Sequence, residues 1–381
     1  VNEDIIYDIF PYVQKLVLNR KVNQPWFPRV FTMKESIDGI PGEDFCERLN
    51  RQTSPGYPFN FFKKGSKLYW IGEDFDGTAP GHRQFMEYYD DLIALAKKGI
   101  RSEILYVDCL KDERRPVEKV LVGKTRQFMS CPLHYLVAFK QYFGDFIRFV
   151  NSNRISNGIA VGINPYGDWS DLYNYMKFSP RAVFTAGDYS SFDGKIRAFI
   201  LYQGLKIIEA YYYNSTEEER LIRAVLFEDV VNSRHISDGR VYEFNGGQAS
   251  GNPITAVLNS IVNIIMLYGA CEYTHRTQNF DISISDMFEK TRVSTFGDDN
   301  IVAYLPEIVG MEQSNLTKAI SELFHMDYTN EMKTDNSVTA REIDEISFLK
   351  RSFKFVGTEI VAPLELGVIK ETLNWEKSSS L

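Results

Sequence analysis

The sequence predicts an α+β protein in which a small antiparallel sheet, ferredoxin-like in kind, is backed by helices. Three observations predict it. Residues 293–305, VSTFGDDNIVAYL, set apolar and β-branched runs on both sides of a GDDN turn, a hairpin pattern. An apolar strand over 181–186 runs into the acidic turn at 187–193. Segments of helical periodicity alternate with both. No GxGxxG and no P-loop fingerprint occurs, so the dinucleotide and P-loop folds are not indicated.

Residues 1–80 are rich in Pro, Gly and aromatics, which reads as irregular chain with short elements. The apolar pattern then predicts a helix over 82–98, a strand over 103–110, a basic stretch, and a strand near 126–130. A long helix over 133–151 follows, with Pro132 at its start. Beyond the acidic turn come helices over 195–213 and 217–229. The second has Ser215 as its expected N-cap and acids in its first turn. Asp238 and Gly239 mark a hairpin turn within 236–244. Helices over 253–268 and 313–324 flank the hairpin at 292–305. No repeat and no low-complexity tract appears.

The 381 residues are 44% hydrophobic and 25% charged, which excludes a disordered chain, a collagen-like repeat and a small disulfide scaffold. The net charge of −8 argues against a nucleic-acid coat that is basic all over, but not against a locally basic channel. Cys46, Cys109, Cys131 and Cys271 form no CxxC pair and read as reduced core thiols in a cytosolic setting. Cys271 and His275 share a helix face but lack two further zinc ligands. The start has no basic n-region. The longest apolar run, 254–270, is broken by Asn259, Ser260 and Asn263, so no membrane span is expected. Val1 in place of Met implies a chain cut from a longer precursor or an expressed fragment.

Four segments carry candidate chemistry. In the GDDN segment, Asp298 and Asp299 are adjacent acids between apolar strands. They make an ordinary hairpin turn, or a site where a divalent metal supplies the counter-charge. In AVFTAGDYSSFDG, residues 182–194, Asp188 ends an apolar strand and Asp193 lies five residues on; either is also a favoured turn residue. Acids at the ends of two neighbouring strands are how three carboxylates meet around two metals in phosphoryl transfer. In NGGQASGNPITAVLNS, residues 245–260, a Gly-rich loop leads into a helix. There Ser250 and Gly251 offer hydroxyl and N–H groups, and Thr255 and Asn259 share a face able to bond a sugar hydroxyl. A capped helix with a polar stripe has the same pattern. In residues 111–128, KDERRPVEKVLVGKTRQF, six cations (Lys111, Arg114, Arg115, Lys119, Lys124, Arg126) face three acids. The segment is a solvated charged face or a clamp for a triphosphate.

Together the four segments resemble motifs F, A, B and C, in that order, of the viral RNA-dependent RNA polymerases of picornavirus-like positive-strand RNA viruses. TSPGYP at 53–58 is similar to that family's template-guiding motif G, NEMKTD at 330–335 to motif D, and FLKR at 348–351 to the motif E primer grip. Motif C reads Phe-Gly-Asp-Asp where Tyr-Gly-Asp-Asp is commoner. The resemblance covers residues 53 to 351. It implies a right-hand fold: fingers at 1–147 and 228–247, palm at 148–227 and 248–353, and the start of a truncated thumb at 354–381. The 52 residues before motif G and the 30 after motif E are fewer than in picornaviral enzymes, which implies a fragment lacking most of the thumb.

The resemblance also implies roles. Asp188 and Asp298, assisted by Asp299 and the Tyr189 carbonyl, would bind two Mg²⁺ ions, with Mn²⁺ as a substitute. Lys111, Arg115, Lys119 and Arg126 would face the nucleotide. Asp193 and Asn259, with Ser250 and Thr255, would read the ribose. Lys333 would protonate pyrophosphate, a role that needs a lowered pKa; alone it reads as a surface charge. Thr53, Ser54 and Gly251 would touch the template, and Leu349 and Lys350 the primer. Implied partners are RNA template and primer, NTPs, a small uridylylated protein primer and other viral replication proteins. The implied setting is the host cytoplasm, at membrane-associated replication complexes, after release from a polyprotein. Three rival readings stay open. An RNA-binding fragment inactive without its thumb would bind RNA without turnover. A reverse transcriptase would carry a bulky steric gate in place of Asp193 with Asn259. A two-metal phosphatase or nuclease would need no template.

Overall fold

The computed structural model describes residues 3–21, 26–113, 115, 117–333 and 340–373. Val1, Arg114, and Thr334 and Asp335 of the NEMKTD segment lie outside the described residues. Ten strands are described: Tyr106–Leu110 (β1), Gln127–Ser130 (β2), Val183–Tyr189 (β3), Arg234–Ser237 (β4), Arg240–Glu243 (β5), Thr291–Phe296 (β6), Asp299–Tyr304 (β7), Tyr328–Asn330 (β8), Lys354–Val356 (β9) and Glu359–Val361 (β10). The chain divides into two compact units. The first holds Val1–Val22, Asn153–Ser190 and Ser260–Leu381; the second holds Asn23–Ser152 and Ser191–Asn259.

The first unit is built on an antiparallel sheet of order β6-β7-β3-β8. Alternation sorts its side chains. Phe184 and Ala186 of β3 and Ile301 and Ala303 of β7 pack with Trp169, Leu172, Met176, Ile343 and Phe348 in one buried cluster. Thr185, between the first two, instead donates its hydroxyl to the Met311 carbonyl at 3.3 Å. The second unit has a mixed sheet of order β2-β1-β4-β5, in which β1 and β4 run parallel over Tyr106–His235 and Val107–Ile236. Its short parallel seam is locked by His235. The ring stacks between Tyr106 and Tyr242, and its two nitrogens lie 2.8 Å from Asp108 and 2.8 Å from the Ser233 hydroxyl. The helix Leu133–Ser152 supplies this unit's core with Tyr135, Phe139, Phe143 and Phe146, all buried.

The hairpins, the helix Gln313–Phe324 and the adjacency of the two acid-bearing strands match expectation. Six features differ. A 15-residue helix, Glu3–Val17, stands where irregular chain was expected. Its buried stripe of Ile5, Ile9, Val13 and Val17 at four-residue spacing outweighs Pro11 within it. Strand β3 continues through Gly187 and Asp188 to Tyr189, because β8 pairs with those residues. The helix expected over 195–213 is two, Phe192–Lys195 and Ala198–Tyr211, separated at Ile196 by extended backbone. The cap of Glu217–Val231 is Thr216, not Ser215. Its hydroxyl accepts from Glu219 N–H, while the Glu219 carboxylate accepts from Thr216 N–H. Asp299 and Asn300 belong to β7, which leaves Gly297 and Asp298 as the turn. Finally, the helix expected over 253–268 runs Thr255–Thr277 and is, by length and mean hydropathy, long and apolar enough to cross a membrane. Of its most apolar stretch 89% is buried, the pattern of a core helix.

Gly187 has no room for a side chain: a Cβ there would sit 2.0 Å from the Tyr328 ring. That ring cannot step aside, being buried and bonded through its hydroxyl to Asn300 at 2.8 Å. Gly187→Ala is expected to lower stability by about 1–3 kcal/mol in denaturant unfolding, whereas an unchanged midpoint would mean that β8 is free to shift.

Candidate active site

The acidic candidate residues lie in the first unit. The β3–β7 register ends with Gly187 opposite Asn300, so Asp188 and Asp299 follow at the adjoining ends of neighbouring strands, beside the Gly297–Asp298 turn. Gly297 takes φ +62°, which the two-residue turn requires. Burial, reinforced by the negative charges of Asp298 and Asp188, pushes the Asp299 carboxyl up to about 6, with Lys350 opposing. Lys333 Nζ lies 2.8 Å from Asp188 Oδ2. Among the described residues no three His, Cys, Asp or Glu side chains are gathered closely enough to hold an ion as they stand. The donor set is nonetheless one of hard carboxylate oxygens, the kind that Mg²⁺ and Mn²⁺ take, and its crowded negative charge is what a cation relieves.

Residues that sequence reasoning missed hold this turn. Asn263 donates to the carbonyls of Gly297 and Asp298, both at 3.0 Å, and accepts from the Tyr189 hydroxyl at 3.1 Å. Ser260 Oγ accepts from Gly297 N–H at 2.8 Å. Asn300 donates to Asp298 O at 3.2 Å. Because the Tyr189 ring is buried, the backbone is the part of this residue that a metal could use. On the same unit, Leu349 and Lys350 both take positive φ, 54° and 59°, in a turn closed by reciprocal bonds between Phe348 and Arg351.

The second unit carries the remaining predicted residues. Asn259 Nδ2 donates to Asp193 Oδ1 at 2.6 Å. Asn259 is 5% exposed, and its Oδ1, like Gln248 Oε1, is buried without a hydrogen-bond donor among the described residues. Thr255 is committed to the Gly-rich loop. Its hydroxyl lies 3.0 Å from Ala249 O and 2.8 Å from Asn252 O, and accepts from Gln248 Nε2 at 3.2 Å. Ser250 Oγ points to Met129 Sδ at 3.3 Å. Gly251 is obligatory, since a Cβ would meet the Met129 carbonyl at 1.6 Å.

In the basic segment Glu113 is the centre. It takes both ends of the Arg126 fork and lies 3.4 Å from Arg115, and Arg126 holds its carboxyl below the usual range. Lys111 N–H donates to Arg126 O at 2.9 Å, and Lys119 sits on the exposed helix Val117–Leu121. Two of the four predicted cations are thus tied to an internal acid. Thr53 and Ser54 are exposed and held from beneath by Lys67, whose Nζ donates to Thr53 Oγ1 and, at 2.7 Å, to Ser54 O. Burial pushes the Lys67 amine down to about 8. None of Lys67, Gln248, Asn263 or Glu113 was legible as a functional residue, because each acts on a partner that only the fold brings near.

A family model described as viral RNA-dependent RNA polymerase matches residues 13–381, and the chain belongs to that family. It is similar to the replicase polyprotein of Drosophila C virus (strain EB), 36% identical over 379 residues, which are 95% of this chain and 21% of that protein. The replicase polyprotein of cricket paralysis virus is 33% identical over 376 residues, 93% of this chain and 21% of that protein. The chain therefore spans about a fifth of the length of these curated relatives. Among solved structures, the Sicinivirus 3Dpol RNA-dependent RNA polymerase matches with a TM-score of 0.77 at 23% identity, over 97% of this chain and 74% of that one. The fold is the right-hand polymerase fold.

Asn263 serves two carbonyls and a hydroxyl at once. Asn263→Ala is expected to cost about 1–3 kcal/mol, read from the urea midpoint, and to increase amide exchange in the Gly297–Asp298 turn. A turn as protected as before would show that the β6–β7 hairpin holds itself.

Proposed function

We propose that this chain carries out template-directed RNA synthesis from NTPs on a viral positive-strand RNA genome. The observation that carries the reading is the placement of Asp188 and Asp299 at the adjoining ends of β3 and β7, beside Asp298, where burial and then the two neighbouring charges leave Asp299 hard to ionise. Those three carboxylates and the Tyr189 carbonyl would hold Mg²⁺, or Mn²⁺ in its place. Two ions held there would supply a lowered pKa for the primer 3′-hydroxyl and a counter-charge for the triphosphate and the leaving pyrophosphate.

The chain's own groups do the rest. Lys333, beside Asp188, is placed to give a proton to the departing pyrophosphate. Lys111, Arg115, Lys119 and Arg126 bind the triphosphate and the incoming base; Arg115 and Arg126 exchange Glu113 for phosphate when they do. Asp193 and Asn259 read the sugar. The unpartnered Asn259 Oδ1 is an acceptor that a ribose 2′-hydroxyl can satisfy and a deoxyribose cannot. Ser250 and Thr255 shape the loop around that pair. Thr53, Ser54 and Gly251 guide the template, and Leu349 and Lys350 grip the primer. The palm comprises 148–227 and 248–353, the fingers 1–147 and 228–247, and the start of a thumb 354–381. Initiation on a small uridylylated protein primer, and work with other replication proteins at membranes in the host cytoplasm after release from a polyprotein, complete the proposal.

Primer extension on a defined RNA template with Mg²⁺ or Mn²⁺ tests the reading. Template-dependent NMP addition that Asp298→Ala abolishes is expected; addition that survives in the variant contradicts it. Asp193→Ala and Asn259→Asp are expected to reduce the preference for NTP over dNTP by about tenfold or more. Unchanged ratios in both variants would remove the sugar-reading assignment.

A further inference from the structure

Glu331 is one residue past β8 and two before Lys333. Its carboxylate accepts both ends of the Arg341 fork, at 2.8 and 3.0 Å, and the Ser347 N–H at 3.2 Å. Both side chains are only 12% exposed. Each partner's backbone is tied to the same strand: Glu331 N–H donates to Ala186 O at 3.2 Å, and Phe184 N–H to Arg341 O at 2.9 Å. The pair is thereby fixed to the strand that carries Asp188. Lys333 follows with φ 56°, its N–H donating to Asn330 O at 3.0 Å and its Nζ reaching Asp188. Ser347 directly precedes the turn that carries Leu349 and Lys350.

An ion pair this buried adds little net stability, because desolvation offsets most of the attraction. What a two-pronged Arg–carboxylate contact supplies is a single geometry. Here that geometry joins three pieces: the strand of Asp188, the turn of Lys333 and the turn of Lys350.

We propose that Glu331 is a positioning residue: held by Arg341 and Ser347, it fixes the turn at residues 330–333 so that the Lys333 amine stays at Asp188. The proposal rests on the polymerase reading for its kinetic readout, but not for its structural one. With the full chain, single-nucleotide incorporation is measured for Glu331→Gln, for Lys333→Ala and for both together. Glu331→Gln is expected to lower the maximal rate about tenfold while the half-saturating NTP concentration changes less than about twofold. In the Lys333→Ala background the same substitution is expected to add almost nothing, since both act through one amine. A full, independent loss in that background overturns the proposal, as does an unaffected rate. The second measurement needs no RNA. The acylation rate of Lys333, read by mass spectrometry, is expected to rise in Glu331→Gln and, less, in Arg341→Lys; equal reactivity in all three proteins overturns the proposal. If the parent chain adds no nucleotide to a primer, the polymerase reading fails, while the labelling still reports whether Glu331 positions Lys333.

Discussion

Like charges repel, and this fold sets Asp188 and Asp299 at adjoining ends of neighbouring strands, beside Asp298, in spite of it. Two unit charges ~4 Å apart repel by roughly 4 kcal/mol at an effective dielectric of about 20. A single hydrogen bond returns only about 1 kcal/mol, so one tie cannot hold such a cluster. The register of β3 against β7 is the constraint that does, and its neighbours serve it. Gly187 lets the Tyr328 ring lie flat against the strand, Tyr328 bonds Asn300, and Asn263 clamps both carbonyls of the turn. Burial first, and then the repulsion of Asp298 and Asp188, pushes the Asp299 carboxyl up to about 6.

Acids hold cations in each unit. Lys333 stands against Asp188, and Arg126 and Arg115 against Glu113. In a chain of net charge −8, Glu113 offsets part of the positive charge of the basic segment. The second unit applies the same logic to hydrogen bonds. Thr255 spends its donor on the Gly-rich loop, Gln248 donates to Thr255, and Asn259 keeps one acceptor unmatched. An orphaned acceptor is tolerated where a ligand supplies its donor.

The sequence made much of this legible where the signal is local. The Asp238-Gly239 turn, the GDDN hairpin and the apolar strand before Asp188 each carry their signal within a few residues, and each was placed as strand and turn. Boundaries that depend on distant partners were not. β3 outruns its apolar stretch because β8, some 140 residues on, pairs with it. Glu3–Val17 hid its buried stripe behind Pro11 and an aromatic-rich context. Thr216 caps the helix although Ser215 also has a glutamate three residues on, because the Ser215 hydroxyl is taken by the Arg223 guanidinium at 2.8 Å while Thr216 closes the box with Glu219. The acids and the sugar-reading pair were legible as candidates, since adjacent acids in a strand-flanked turn are chemically odd. Lys67, Asn263, Glu113 and Glu331 were not. They are ordinary polar residues whose work is set by whom they meet.

The central claim is that the carboxylates of β3 and of the β6–β7 hairpin form one divalent-ion site. Mn²⁺ binding to the intact chain, followed by electron paramagnetic resonance in wild type, Asp188→Asn and Asp298→Asn, tests it most directly. The account predicts that the wild type retains Mn²⁺ and that either substitution weakens retention by about tenfold or more. Equal retention in all three proteins would contradict it.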